Sequence, residues 1–394
     1  MNSSAPDNLP EPSAEALAHS AELQTLIVDT IGANGGTIPF SQFMEMALYA
    51  PNLGYYTSGQ RIFGKHGDFH TAPEISPLFS LCLANQCQQV LQAIDGDADI
   101  LEFGGGNGTM AADILLSLEA KDSLPAQYYI LDLSTHLQQQ QRATIQHKCP
   151  HLLNKVTWLQ QLPEQPINGV VLANEVLDAM PVRLLQFQQD SVKEYMVDDS
   201  LQWQLEDITD LIPEITHVHE CLSKDCFARG YQTEINPLLT PWIKSISDCL
   251  NQGLVLLIDY GYPAREYYHP SRYQGTLMCH YQQRAHTDPL LYPGLQDITA
   301  HVDFTAVANA AFDNGFHVAG FTPQASFLTN CGILECMANS VAPADTAAHY
   351  TMTQAVKYLL LPSEMGEIFK AMALTKAIEL DLIGFRLQDC RMKL

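Results

Sequence analysis

Apolar residues near the start of the chain recur with the period of a helix. Over residues 13–31 they follow helical spacing, and the glycines that come next end the pattern. Ser41 is a favourable N-cap for a second predicted helix that reaches Tyr49. Residues 52–77 follow neither the helical nor the strand period and mix glycines with aromatic and polar residues. This stretch is therefore predicted to be a long loop with a binding role.

After a predicted helix over 77–94, short apolar runs alternate with helical segments. The predicted strands cover 99–103, 128–133, 156–159, 169–173, 253–259, 315–321 and 368–375, and the helices include 109–118 and 137–148. Strands separated by helices in this order form a mostly parallel sheet with helices on both faces. We therefore expect an α/β domain over 96–394, preceded by a helical part over 13–95 and a loose tail over 1–12.

Two insertions interrupt the predicted sheet, at about 183–237 and 262–303. The first begins with alternating apolar and polar residues, which predict a β-hairpin that turns at Gln189-Asp190-Ser191. Insertions beyond the carboxyl ends of parallel strands commonly select the substrate, and we expect that role here.

Charge and composition exclude several classes of protein. The 394 residues include 44 acidic and 20 basic side chains, a formal charge of -24, which argues against a nucleic-acid partner. No apolar run approaches the ~20 residues of a membrane-spanning helix. Because the first basic residue is Arg61, neither a secretory signal nor an Arg-rich mitochondrial presequence is expected, and a cytoplasmic location is predicted.

The ten cysteines are too sparse for a disulfide scaffold. They include three C-x4-C pairs, Cys82/Cys87, Cys221/Cys226 and Cys331/Cys336. Zinc sites use tighter pairs, so we interpret these residues as small buried apolar side chains and predict no metal.

The most specific local signal is a glycine-rich turn between the strand 99–103 and the helix 109–118. It begins with Glu102 and Phe103 and continues as Gly-Gly-Gly-Asn-Gly-Thr. Glycines in this context let a ligand approach the backbone and the N–H groups of the helix start. A dinucleotide fingerprint would need glycine where Thr109 stands. The pattern resembles instead the first motif of class I S-adenosylmethionine methyltransferases, with a nucleotide cofactor or a turn without ligand as the alternatives.

Polar residues at the ends of two other strands agree with this interpretation. Asp132 ends the second strand, where an acid can accept both hydroxyls of a ribose. Asn174 and Glu175 follow the strand 169–173, and Asp178 comes soon after them. Carboxylates at that edge can orient a cationic nucleophile such as a guanidinium, although acids that favour a helix N-terminus are the alternative.

Seven longer segments resemble the MidA-like family of class I methyltransferases. They read IPFSQFMEMALYAPNLGYY, GDFHTAPEISPLF, LEFGGGNGTMAADIL, ANEVLDAMPVR, TEINP, IDYGYPAREYYHPSR and GLQDITAHVDFTA, and the resemblance spans about 38–376. Mitochondrial members of this family are protein arginine methyltransferases that act in complex I assembly. The resemblance implies a seven-stranded Rossmann-like sheet, S-adenosylmethionine as the cofactor, and a methyl acceptor that is an arginine, in mitochondria on a respiratory complex subunit.

The resemblance also implies roles for single residues. Residues 67–74 would fold over the cofactor, and Asn174 and Glu175 would lie at its methyl group. The four glycines over 54–67 supply backbone freedom, so we expect the segment 55–77 to be a lid that closes when the cofactor binds. The candidate catalytic residues are Glu175, Asn174, Asp68 and Asp178. The candidate cofactor-binding residues are Thr71, Pro73, Glu74, Glu102, Gly104, Gly106, Asp132, Leu133 and Asn174.

Two other functions stay open at this stage. One is an assembly chaperone that binds the cofactor without catalysis, and the other is a small-molecule methyltransferase. A broken first motif or the loss of the acids after 169–173 would favour the chaperone. The chain has both the glycine-rich motif and these acids. The expected partner is a protein with a target arginine, and pairing with a second copy of the chain is open.

Overall fold

The computed structural model describes residues 9–59, 71–208, 212–227, 230–340 and 345–394. Internal contacts divide the chain into two units. Unit 1 comprises Met1–Phe69, Asp178–Leu239 and Pro263–His301, and unit 2 comprises His70–Leu177, Thr240–Tyr262 and Val302–Leu394. Unit 1 thus gathers the N-terminal segment with the two predicted insertions. The domains expected from the sequence, 13–95 and 96–394, are continuous segments and differ from these contact units. Whether those segments fold as domains stays a prediction.

The helices and strands of the described residues are numbered in chain order. The helices are α1 (Ala14–Ala33), α2 (Phe40–Tyr49), α3 (Ala72–Ile75), α4 (Pro77–Ala93), α5 (Thr109–Glu119), α6 (Thr135–Lys148), α7 (Pro213–Cys221), α8 (Lys224–Phe227), α9 (Leu239–Cys249), α10 (Ala264–Tyr267), α11 (Phe304–Asp313), α12 (Gln324–Asn330), α13 (Ile333–Ser340), α14 (Thr346–Leu360) and α15 (Met365–Ile368). The strands are β1 (Thr37–Pro39), β2 (Asp99–Phe103), β3 (Tyr128–Leu131), β4 (Val156–Leu159), β5 (Ile167–Asn174), β6 (Arg183–Phe187), β7 (Val192–Asp198), β8 (Trp203–Asp207), β9 (Tyr231–Ile235), β10 (Leu250–Tyr262), β11 (Met278–Tyr281), β12 (Arg284–His286), β13 (Asp297–Thr299), β14 (Val302–Asp303), β15 (His317–Pro323) and β16 (Phe369–Lys376). No helix of these residues is both long enough and apolar enough to span a bilayer.

Unit 2 is built on one large, mostly parallel sheet. Its strand order is β15-β16-β10-β5-β2-β3-β4, and β14 pairs with β10 beside this path. The strands from β10 to β4 run parallel, and β16 lies antiparallel to both β10 and β15. Residues 254–258 of β10 are all buried, as expected for a strand covered on both faces. The predicted seven-stranded α/β fold is therefore confirmed.

The strand order reverses beside β2, and this position determines where the site can form. β2 lies between β3 and β5. From β2 the chain continues to β3 and β4 on one side of the sheet and then crosses to β5 and β10 on the other side. Phe103 of β2 pairs with Ala173 of β5, and Ile258 of β10 pairs with Asn174. The carboxyl ends of these parallel strands meet at one edge, which is where ligands bind in open α/β sheets.

Unit 1 contains two smaller antiparallel sheets. One has the order β1-β7-β6-β9 with β8 beside β7, and the other has the order β12-β11-β13. Apolar residues of α1 and α2, including Leu23, Ile27 and Phe43, pack in one core with Leu184 of β6 and Val197 of β7. The periodic apolar residues of the N-terminal segment therefore serve to cover the strands of the first insertion.

Most predicted elements lie within two residues of their expected bounds, and the start of α2 differs in how it is capped. α2 begins at Phe40 directly after Pro39, so the prediction that Ser41 caps this helix was wrong. The fixed backbone angle and missing N–H of a proline suit that position. The predicted hairpin is confirmed as β6 and β7, closed by a hydrogen bond from Gln188 N to Ser191 O, and β8 extends it.

Candidate active site

The glycine-rich turn leaves β2 in a backbone conformation that side chains disfavour. Gly104 and Gly106 have φ values of 62° and 52°, in the left-handed region. Gly104 N donates to Leu131 O at 3.0 Å, which ties the turn to the end of β3. A Cβ on Gly105 would lie 2.7 Å from Ile130 Cγ2. The turn therefore runs close against β3 and presents bare backbone in front of the N-terminus of α5.

Glu102 is a buried carboxylic acid at the start of this turn. It is 1% exposed, and its Oε2 accepts a hydrogen bond from the Tyr128 hydroxyl at 2.6 Å. Burial raises the pKa of Glu102 from 4.5 to about 7, and the charge of Asp132 adds to the rise. A buried acid that is about half ionised at pH 7 is a site where a cationic or hydrogen-bond-donating ligand would be stabilised.

Asp132 follows β3 directly and is also nearly buried, at 7% exposure. Its Oδ1 accepts from Ser134 N at 2.9 Å, and its Oδ2 accepts from Gln141 Nε2 at 2.8 Å. Burial raises the pKa of Asp132 from 3.8 to about 6, and these two hydrogen bonds oppose the rise. Each carboxylate oxygen keeps a second lone pair, so the group can still accept two ligand hydroxyls.

Gln141 is a site residue that the sequence did not reveal. It donates to Gly106 O at 3.1 Å as well as to Asp132, and it accepts from Trp158 Nε1 at 3.0 Å. Four consecutive glutamines on a helix are ordinarily solvated, but Gln141, the last of the four in α6, is fully buried. The available signal was the spacing, since Leu137 and Ile145 lie four residues to either side on the same helical face.

The described part of the segment after residue 70 contacts the glycine-rich turn. Glu74, in the short helix α3, accepts a hydrogen bond through Oε1 from Asn107 Nδ2 at 2.7 Å. Asn107 Oδ1 in turn accepts from Thr109 N at 3.0 Å, at the start of α5. Pro73 directly precedes Glu74 in this helix, and Thr71 is the N-cap residue. Asp68 and residues 60–70 of the predicted lid lie outside the described residues.

Asn174 and Glu175 form a turn at the carboxyl end of β5. Asn174 Nδ2 donates to Glu175 Oε1 at 3.1 Å. Asn174 Oδ1 is buried and has no hydrogen-bond partner within the described part of the chain. Glu175 adopts φ of 53°, a left-handed conformation that is uncommon for a residue with a side chain. A buried acceptor without a donor is costly, so this oxygen is a place for a ligand N–H or O–H.

These groups fit the chemistry of S-adenosylmethionine. Its ammonium and two ribose hydroxyls are donors, and Glu102, Asp132 and Asn174 Oδ1 are acceptors at one edge of the sheet. Its carboxylate suits the N-terminus of α5. In the described residues no group of three or more His, Cys, Asp or Glu side chains could hold a metal ion.

Two predicted residues are placed differently from the rest. Leu133, beside Asp132, is an apolar side chain that is 63% exposed. Asp178 belongs to unit 1, where its backbone oxygen accepts from Ala300 N at 3.0 Å. In the same unit burial raises the pKa of Tyr56, and the carboxylates of Asp297 and Asp178 raise it further.

The fold and the donor and acceptor groups of the site define an S-adenosylmethionine-dependent methyltransferase. A family model described as "Putative S-adenosyl-L-methionine-dependent methyltransferase" matches residues 82–322. The chain belongs to this family, which confirms the MidA-like resemblance, and its cofactor is S-adenosylmethionine.

Similar proteins agree with this assignment. The chain is 41% identical to a "likely methyl transferase from Burkholderia thailandensis bound to S-adenosyl-homocysteine", with a TM-score of 0.91 over 98% of this chain and 100% of that chain. It is 27% identical to the mitochondrial protein arginine methyltransferase NDUFAF7 homolog of Drosophila melanogaster, over 94% of this chain and 88% of that protein. The corresponding Mus musculus protein is also 27% identical, over 86% and 81%.

The comparisons overturn one expectation. The curated relatives are mitochondrial proteins by name, so the cytoplasmic location predicted from the scarcity of early basic residues is wrong. The position of the first arginine was too weak a signal to decide a compartment.

Proposed function

We propose that this methyltransferase transfers the methyl group to a guanidinium nitrogen of an arginine on a protein. The observation that carries the proposal is the Asn174-Glu175 turn, where a carboxylate and a buried amide oxygen lie together at the end of β5. This turn adjoins the end of β2, from which the cofactor turn departs. The names of the mitochondrial relatives, protein arginine methyltransferases, support the same acceptor.

In this proposal the acceptors of unit 2 bind the cofactor. Asp132 would accept the ribose hydroxyls, Glu102 would face the amino-acid end, and Gly104 and Gly106 would leave room for it. Glu74 would stiffen the turn through Asn107, and Thr71, Pro73 and Leu133 would contact the ligand beside them. Bound S-adenosylmethionine supplies a methyl group on a positively charged sulfur, so no nucleophilic side chain of the enzyme is needed.

The remaining polar residues would orient the methyl acceptor. An arginine arrives charged, because its pKa is about 12 or higher, and its delocalised nitrogens are poor nucleophiles. Glu175 would accept hydrogen bonds from guanidinium nitrogens that do not react, and Asn174 Oδ1 would accept from the reacting one. The reacting nitrogen would lose a proton to solvent as the methyl group leaves the sulfur, and catalysis would come mainly from alignment of nitrogen, methyl and sulfur. Asp178 and Asp68 stay predictions from the sequence.

The experiment is methyl transfer from tritiated S-adenosylmethionine into lysate of a strain that lacks this gene. The labelled band is identified, hydrolysed and tested for methylarginine. Glu175→Gln keeps the size of the side chain but removes its charge. We expect it to lower transfer at least about tenfold while cofactor affinity, measured by calorimetry, stays within about threefold.

Asp345→Asn is the matched control, because Asp345 caps α14 through Ala348 N and lies outside the family match. It should leave transfer unchanged. Label in a lysine or in a small molecule would contradict the arginine assignment. Calorimetric binding without transfer to any lysate component would favour the assembly chaperone. Equal transfer by Glu175→Gln would show that the carboxylate does not orient the acceptor.

A further inference from the structure

The turn that carries Glu175 is held in an unfavourable backbone conformation. A Cβ in the left-handed region crowds the following carbonyl oxygen, so a glutamate reaches φ of 53° only when its surroundings fix it there. Glu175 N donates to Ile258 O at 2.9 Å, on the neighbouring strand β10. The next two backbone N–H groups, of Val176 and Leu177, leave the strand and need acceptors of their own.

Asp259 supplies both of those acceptors through one oxygen. Its Oδ2 accepts from Val176 N at 3.2 Å and from Leu177 N at 3.0 Å. Its Oδ1 accepts from Tyr260 N at 2.9 Å. The side chain is fully buried, at 0% exposure. Three consecutive N–H groups after Asn174 are thus bound by two consecutive residues of β10.

The strand register explains why this residue and no other can do so. Ile258 pairs with Asn174, which places Asp259 one step beyond the end of β5, beside the departing turn. A charged acceptor forms stronger hydrogen bonds than a neutral one. An asparagine would offer one acceptor oxygen and would turn an N–H group towards a backbone donor.

We propose that Asp259 is a positioning residue for methyl transfer. Its carboxylate holds the turn 174–177, and through the turn it fixes the places of the Glu175 carboxylate and the Asn174 amide. The inference rests on the proposed role of those two residues. Asp259 itself does not need to contact the cofactor or the methyl acceptor.

The test uses Asp259→Asn as the main variant and Asp259→Ala as the more severe one. Hydrogen exchange should become at least about tenfold faster at Val176 and Leu177, since each loses a charged acceptor. The amides of Val171 and Leu172 inside β5 should keep their protection and serve as the internal control. Methyl transfer should lose at least about tenfold in kcat, while KM and the Kd for S-adenosylmethionine change by less than about threefold.

Hydrogen exchange at 176–177 and kcat together distinguish a positioning role from a purely structural one. Asp345→Asn, the change of another carboxylate that accepts a backbone N–H, should alter neither kcat nor exchange at 176–177. Unchanged exchange at 176–177 in Asp259→Asn would overturn the proposal. Faster exchange there with unchanged kcat would also overturn it. If the methyl acceptor proves to be other than arginine, the same loss of kcat with that acceptor would still support the positioning role of Asp259. Failure of the arginine proposal can therefore be distinguished from failure of the proposal for Asp259.

Discussion

Cofactor affinity should depend on pH through Asp132. Burial raises the pKa of this carboxyl to about 6. Such a group is about one-tenth ionised at pH 5 and about nine-tenths ionised at pH 7. Ribose hydroxyls donate to the ionised form, so binding must remove the proton wherever it is present. We therefore expect S-adenosylmethionine to bind about tenfold more tightly at pH 7 than at pH 5 through this residue alone.

Glu102 widens the pH range of the effect. Its pKa is raised to about 7, mainly by burial and in part by the charge of Asp132, so the two acids titrate as a coupled pair. The two acids change the stability in the same direction, because the pKa of each is higher in the folded protein than in the unfolded chain. Their contribution to the stability of the apo protein is present near pH 4 and is lost as pH rises through about 6 and 7. Cofactor binding should offset that loss and release protons near pH 6.

Calorimetry in buffers of different ionisation enthalpy measures both the Kd and the number of protons released. Asp132→Asn should abolish the part of the pH dependence centred near 6 and weaken binding at pH 7 by about 1.5–3 kcal/mol. Asp113→Asn is the matched control, since Asp113 is a buried acid of α5 that pairs with Lys148. A Kd that does not change between pH 5 and 8, or the same pH dependence in Asp132→Asn, would refute the assignment of the ribose to Asp132.

Two further outcomes follow from close contacts in unit 2. Gly105→Ala should destabilise the protein by about 1–3 kcal/mol, because the new Cβ would lie 2.7 Å from Ile130 Cγ2; an unchanged denaturation midpoint would contradict this packing. A hydrogen bond from the Cys82 thiol lowers the pKa of Cys336 from 9.0 to about 7. Its alkylation by iodoacetamide should therefore reach half its maximal rate near pH 7, while buried Cys331 stays unmodified. Mass spectrometry of tryptic peptides measures the alkylation of both cysteines. A midpoint near pH 9 for Cys336 would disprove the lowered pKa.

The strands of the large sheet and the residues at their ends were predictable from the sequence. Strands covered on both faces are continuous apolar runs, so β2 has the predicted bounds and β5 differs by two residues at most. The edge strand β4 also has its predicted bounds. Once the strand ends are known, a polar residue directly behind a strand is a candidate for the ligand edge. Asp132 and Asn174 were predicted in this way and Glu102 from the glycine-rich motif that follows it, with the family resemblance suggesting their roles.

The supporting residues were not predictable, for a physical reason. Hydrophobic patterning places glutamine and aspartate at the surface, because their burial is favourable only when specific partners satisfy them. The partners of Gln141 are Asp132 and the glycine-rich turn, and those of Asp259 are N–H groups more than eighty residues earlier. These contacts exist only after strands and helices have packed. The left-handed backbone of Glu175 could not be predicted either, since no local sequence signal distinguishes it from a glutamate in an extended conformation.

The edge of the sheet contains more buried acceptors than the fold requires. Glu102 and Asp132 are kept in places where burial opposes their charge, and Asn174 Oδ1 is buried without a partner among the described residues. Apolar side chains of similar size would make the same sheet more stable, since each of these groups costs free energy in the apo protein. A ligand that brings an ammonium and two hydroxyls would satisfy the two acids, and the methyl acceptor would satisfy Asn174 Oδ1. The instability of the apo site is therefore itself an argument for cofactor binding, and it implies that the protein gains more stability from S-adenosylmethionine at pH 7 than at pH 5.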